Sequence, residues 1–358
     1  MATAEIGATL RETVHFEGVG LHTGEVCRIA VHPVLDRHTP CAITIRKGAQ
    51  RFPARWDYVV DATRATVLGN GATCISTVEH LMAALWITGI THCEIELLRG
   101  NEIPILDGSA LPFVEALEGV KAGNPPSPRL SPPLLRGERE VGSALTPSPS
   151  PTEGERGADA LTPSPSPTKG EGCAAPNTRQ PLWSAEAKLP HSIQPREGNP
   201  TGAVPPACRG NLKDGVMIEA RQADRYLGLA FGGDALFGYI DFPAPLGVQA
   251  GAFPLAAAAE QIAPARTFGF LREVEALRQQ GLALGGALEN ALVIDETGYH
   301  NPARFEDEPL RHKLLDVLGD LYLCGARLTG FTLVAIKPGH ALNVQLARQV
   351  AQALFMED

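Results

Sequence analysis

No Cys-x-x-Cys pair occurs in this chain, and its seven cysteines (Cys27, Cys41, Cys74, Cys93, Cys173, Cys208, Cys324) are widely spaced and odd in number. That spacing argues against a thiolate zinc site and against a disulfide framework, so the thiols read as reduced and mostly buried. No uninterrupted apolar run approaches the ~18 residues of a membrane-spanning helix, and Met1 to Ile6 lack the basic and apolar regions of a secretory signal. The expectation is a cytoplasmic protein with at most peripheral membrane association. Positive charge is not in excess either: 31 Lys and Arg stand against 40 Asp and Glu, a formal net charge of −9. This argues against nucleic acid as a partner while leaving room for a local basic pocket that takes a phosphorylated small molecule. No obligate protein partner is indicated.

With 358 residues, 44% of them hydrophobic, the chain is long enough for two domains of about 100–200 residues each. Composition sets the boundaries. Residues 124–210 are rich in Pro, Ser, Gly, Glu and Arg, and the octapeptide starting at Leu145 recurs at Leu161. Such a stretch buries too little apolar surface to offset the entropy of ordering it, so a disordered insertion is expected between a domain at 1–123 and another at 211–358. Its Ser-Pro and Pro-x-x-Pro patterns are common in low-complexity sequence and assign no partner.

Each flank reads as strands followed by helices. In the first, Arg11–Phe16 and Cys27–Val31 enclose the glycine-rich turn Gly18–Gly24, which carries His22, with an irregular stretch from Arg46 to Gly71. Ser76 or Thr77 is placed to cap a helix running through Trp86, with Leu81, Met82, Ala84 and Leu85 as its apolar stripe and Glu79 and His80 in its first turn. A strand at Cys93–Leu97 and a helix from Leu111 to Val120 follow. In the second flank, strands are expected at Gly215–Ala220, Tyr226–Phe231, Leu236–Phe242, Ala291–Ile294 and Phe331–Ile336. Helices are expected at Leu255–Gln261, Leu271–Gln280, Glu308–Asp320 and from Ala341 onward.

The helix at 308–320 places His312, Asp316 and Asp320 on one side at spacings of four. A lone His-x-x-x-Asp is a weak metal signal. Joined by His80 it supplies two imidazoles and a carboxylate with a fourth position left for water, Glu79 stands next to one ligand as a base, and His340 in a glycine-flanked loop carries positive charge.

Seven segments in order carry a resemblance: Gly18–Gly24, Ser76–Leu81, Glu102–Ser109, Ala265–Phe270, Arg304–Glu308, His312–Asp316 and Lys337–Asn343. They are similar to the signature blocks of the UDP-3-O-acyl-N-acetylglucosamine deacetylases. The resemblance implies an α+β fold of two similar two-layer α/β sandwich domains packed through their helices, each with a small insert (around 53–73 and 270–303), and an active site at the domain interface. It implies Zn2+ as cofactor and an acylated UDP-sugar as small-molecule substrate, whose acetamide is hydrolysed in the committed step of lipid A biosynthesis in Gram-negative bacteria. Carried over residue by residue, His80, His312 and Asp316 match the zinc ligands, Glu79 the general base, His340 the electropositive acid or oxyanion-side residue, Asp320 its orienting carboxylate and Thr267 the oxyanion donor. Lys313 and His22 match substrate-contacting positions, and Phe268 and Phe270 stand at the mouth of the acyl passage. Arg225 stands where the family has a diphosphate-binding lysine. Two other readings compete: a zinc amidase indifferent to the acyl or diphosphate group, and a silent scaffold disabled by the insertion. The complete set of ligands, base and acid disfavours silence.

Overall fold

The computed structural model describes residues 8–35, 41–122 and 217–355. The expected insertion at 124–210 lies outside them. The first part runs β1 (Ala8–Leu10), β2 (Val14–Val19), β3 (Val26–Pro33), β4 (Ala42–Lys47), β5 (Gln50–Pro53), β6 (Val59–Asp61), β7 (Val67–Gly69), β8 (Cys74–Ile75), α1 (Glu79–Thr88), β9 (Ile90–Arg99), α2 (Leu111–Val120) and β10 (Lys121–Ala122). The second runs β11 (Met217–Gln222), β12 (Arg225–Phe231), β13 (Ala235–Asp241), β14 (Val248–Pro254), α3 (Ala258–Gln261), β15 (Phe268–Phe270), α4 (Leu271–Gln279), β16 (Leu292–Ile294), α5 (Glu308–Tyr322), β17 (Phe331–Ile336) and α6 (His340–Phe355). The class is α+β.

The first main sheet has the order β10-β1-β9-β3-β2, with β4 added parallel to β9 and β5 beyond it. The second is β11-β12-β17-β13-β14. Its central strand β17 alternates buried Phe331, Leu333 and Ala335 with half-buried neighbours, which is the period of two that a strand with one face on the core must show. The sequence reading omitted β14, since Val-Gln-Ala-Gly-Ala-Phe-Pro carries little of the β-branched signal and pairs only as an edge. The stretch expected to be irregular holds β5, which pairs back on β4, and the strands β6 and β7 of a three-stranded sheet, β6-β7-β8. In the second part, β15 and β16 pair in parallel around α4.

Two expectations about helix starts are corrected. Neither Ser76 nor Thr77 caps α1: Val78 occupies the cap position without a side-chain bond, and Thr77 sits at φ 60 with its hydroxyl donating to Glu102. The last helix begins at His340 itself, so this histidine belongs to the first turn of α6.

The apolar stripe expected on α1 widens into a helix buried all round except at Ile87. It packs on α2 and α5, and α5 in turn on α6 and the second sheet. The α1–α5 crossing is tight at Gly319, where a Cβ would come within 2.0 Å of the Glu79 carbonyl oxygen. Backbone meets helix there, which only glycine permits. Gly319→Ala should therefore lower stability by about 1–3 kcal/mol, the overpacking cost outweighing alanine's better helix propensity. Urea denaturation would check it, and an unchanged midpoint would mean that the helices separate without strain.

Candidate active site

Because α1 enters the core at its first residue and α5 is buried almost throughout, both present polar side chains to a shared interior. Glu79 and His80 are each 3% exposed, His312 3%, Asp316 1% and Asp320 0%. Buried charge on this scale must be paired or must hold a ligand. Donor atoms of His80, His312 and Asp316 lie within 4.8 Å of one another. Asp316 Oδ1 stands 3.4 Å from His312 Nε2 and 3.8 Å from His80 Nε2, and the two rings meet edge to face at 5.0 Å.

The protonation states suit a cation. Burial, with the nearby His312 ring disfavouring a second positive charge, depresses His80 to about 3, and burial likewise lowers His312, so both imidazoles are neutral at pH 7. Burial opposes ionisation of Asp316, but Lys313, His312, His340 and His80 outweigh it and hold its carboxyl below the usual range. His312 Nδ1 donates to the Ala265 carbonyl at 3.0 Å, which fixes the proton on that nitrogen and leaves Nε2 as a lone-pair donor. His80 Nδ1 is buried with no hydrogen-bond partner. Two neutral imidazoles, one carboxylate and an orphaned ring nitrogen fit a divalent metal of the zinc type.

Beside this cluster lies a second one, Glu79, Asp320 and His340. His340 Nδ1 donates to Asp320 Oδ2 at 2.9 Å, and its Nε2 is 4.0 Å from both Glu79 Oε1 and Asp316 Oδ2. Burial alone would lower His340, yet Asp320, Glu79 and Asp316 together raise it to about 9. Burial raises Glu79 to about 8, the nearby carboxylates adding to the effect and His340 opposing it. A carboxyl group and an imidazolium whose proton affinities both lie above neutrality can accept and release protons within one cavity.

Asp320, which shares a face with the two α5 donors, points to His340 rather than into the metal cluster. Two residues that the sequence reading missed complete its shell: Thr66 donates its hydroxyl to Asp320 Oδ1 and its backbone N–H to Glu79 Oε2 at 3.0 Å, and Asn343 Nδ2 donates to Asp320 Oδ2 at 2.9 Å. Both are buried. Asn343 falls one turn after His340 on α6, a spacing of three that could have flagged it. Thr66 had no such signal.

The remaining candidates are spread around this centre. Lys313 pairs with Asp316 Oδ2 at 2.9 Å and lies 5.7 Å from the Phe268 ring, which meets His312 edge-on at 6.1 Å. Phe268 and Phe270 both pack on Phe242, and Phe270 is buried with the Arg272 guanidinium over it. Thr267 donates its backbone N–H to the Gly108 carbonyl at 2.7 Å. Both ring nitrogens of His22 are buried without partners, while its backbone N–H is held by Glu102 at 3.0 Å. Burial lowers the His22 pKa, with Arg64 and His340 adding to the effect against Glu102. Arg225, at the start of β12, reaches within 3.3 Å of where a Gly339 side chain would begin, so it lies beside the turn that precedes His340.

An α+β scaffold whose buried imidazoles and carboxylates pair a cation-type donor set with a proton-exchanging couple has the layout of a hydrolase. Sequence comparison makes the class specific. Residues 7–133 and 235–352 match the family described as LpxC, UDP-3-O-acyl N-acetylglycosamine deacetylase, and the chain belongs to that family. Proteins named UDP-3-O-acyl-N-acetylglucosamine deacetylase are similar to it along most of their length. The Leptospira biflexa protein is 31% identical over 356 residues, covering 95% of this chain and 88% of the relative. The Myxococcus xanthus protein is 34% identical over 349 residues (96% and 85%), and the Aquifex aeolicus protein 30% over 346 (96% and 92%). Among the described residues no helix is long and apolar enough to cross a membrane.

Proposed function

We propose that this protein is a zinc-dependent amidohydrolase that removes the acetyl group from UDP-3-O-acyl-N-acetylglucosamine, releasing acetate and the free 2-amine in lipid A biosynthesis, and that it works in the cytoplasm. The observation that carries this reading is the adjacency of the His80–His312–Asp316 donor set to the Glu79–His340 pair in a chain of the deacetylase family. Zinc held by the three donors would supply the positive charge that acidifies water and polarises an amide carbonyl.

The chain's own residues do the rest. Glu79 takes the proton of the attacking water; Thr66 aims its carboxylate by holding the other oxygen. His340, kept cationic by Asp320, stabilises developing negative charge and gives its Nε2 proton to the departing amine. Thr267 donates to the oxyanion, a contribution of roughly 3–4 kcal/mol where such donors have been removed elsewhere. Lys313, His22 and Arg225 face the sugar and diphosphate, and Phe268 and Phe270 the acyl chain. Release of acetate from the acylated UDP-sugar, abolished by a chelator and restored by zinc, is the expected result; a purified protein that binds no zinc would overturn the proposal. Deleting residues 126–208 should leave turnover intact, and its loss would favour a structural part for that stretch.

The proton affinities set a pH profile. Glu79 must be deprotonated and His340 protonated, so kcat/KM should fall on the alkaline side as pH passes about 9. Asp320→Asn takes away the first of the carboxylates that raise His340 and should move this alkaline limb to lower pH. If the limb stays in place in that variant, proton transfer does not run through His340.

A further inference from the structure

The first turn of α5 holds a carboxylate that the proposed chemistry does not use. Glu308 is fully buried, and a first-turn glutamate would ordinarily be ascribed to the helix dipole. The donors to its side chain, however, all lie outside its own helix. It turns instead to the segment leading into β15. Oε1 accepts the Arg266 backbone N–H at 3.0 Å and Nε at 2.8 Å, while Oε2 accepts Arg266 Nη2 at 3.2 Å and the Arg304 backbone N–H at 2.6 Å. Four donors saturate one carboxylate.

The residues on either side of Arg266 decide what this clamp is for. Ala265 offers the carbonyl that takes the His312 Nδ1 proton, and Thr267 is pinned through its backbone to Gly108 and Leu292. Glu308 and His312 are four apart on α5 and so lie on one face. One helix face thus grips two consecutive residues, the carboxylate holding 266 and the imidazole 265, and 267 follows them in the chain. Removing the first leaves the imidazole as the remaining hydrogen bond from α5 to this segment.

From this geometry, and resting on the metal reading above, we infer that Glu308 is a positioning residue: by fixing the 265–267 segment on α5 it sets the ring of His312 toward the metal and the hydroxyl of Thr267 toward the substrate. Arg266 is its partner. Outer contacts that orient a ligating histidine commonly change metal affinity or activity by about 10–100-fold.

The test uses the full chain and zinc alone as probe. Glu308→Gln keeps the shape but replaces one acceptor oxygen with a donor group, so it loses the grip on Arg266. In competition with a chromogenic chelator it should bind zinc about 10-fold or more weakly, with kcat lowered and KM little changed. Glu308→Asp, which keeps the charge but retracts it, should fall in between. A merely stabilising ion pair predicts a lower melting temperature with wild-type zinc affinity and kcat, and that result in the glutamine variant overturns the inference. Should the glutamine variant not fold, the aspartate variant decides in the same way, wild-type affinity again overturning it. Absence of zinc binding by the wild-type protein would instead sink the metal reading itself.

Discussion

A Glu79→Gln variant should keep its zinc and lose roughly 10²–10⁴ in kcat, the usual worth of a positioned general base. The geometry separates the two properties. Glu79 belongs to the Glu79–Asp320–His340 cluster and not to the His80–His312–Asp316 set, although it is bonded to His80 along the chain. A glutamine carbonyl still accepts the Thr66 N–H, so the loop carrying Thr66 stays in place while the ability to take a proton is lost. Glu79→Ala should show the same loss of turnover with some added loss of stability from the space left behind. Metal analysis alongside acetate release decides the matter: zinc lost in step with activity would make Glu79 a ligand, and turnover preserved in the glutamine variant would move the base elsewhere.

Zinc itself should disappear from His312→Ala. This histidine is neutral, buried and oriented by the Ala265 carbonyl, so its removal takes one of three donors from a site that has few to spare. Turnover should fall to the level of chelator-treated wild type, by more than ~10³-fold, because an acidified nucleophile and several kcal/mol of charge stabilisation go together. The variant also removes the imidazole 3.4 Å from Asp316 Oδ1, leaving Lys313 at 2.9 Å on the other oxygen. Stoichiometric zinc in the purified His312→Ala protein would contradict the assignment, whatever its activity.

What the sequence disclosed and what it hid follow a physical division. Donors one helical turn apart, such as His312 and Asp316, are visible because helix geometry alone brings them together. His80, 232 positions before His312, could only be added to them as the further imidazole that a metal site needs, and the resemblance of its segment then supported that choice. The pairing of Asp320 with His340 came from the resemblance, and in the structure the two stand 2.9 Å apart. Thr66 and the Glu308–Arg266 clamp stayed hidden, since each depends on backbone groups that long-range packing brings close. The capping error at Thr77 has the same origin. Its hydroxyl was assigned to the nearest helix, whereas Glu102, 25 residues later, binds it along with the backbone N–H groups of His22 and Thr23. Tertiary demand overrode a local rule there.

Gly319 gives the helix crossing a further meaning. The carbonyl that leaves no room for a side chain at this position belongs to Glu79, the residue proposed as the base. Anything that widens the crossing by a few tenths of an ångström moves the base relative to His312 and Asp316 before it opens the core. A random-mutagenesis screen for lost activity should therefore return substitutions at 319 alongside those in the site, although position 319 meets only another helix's backbone.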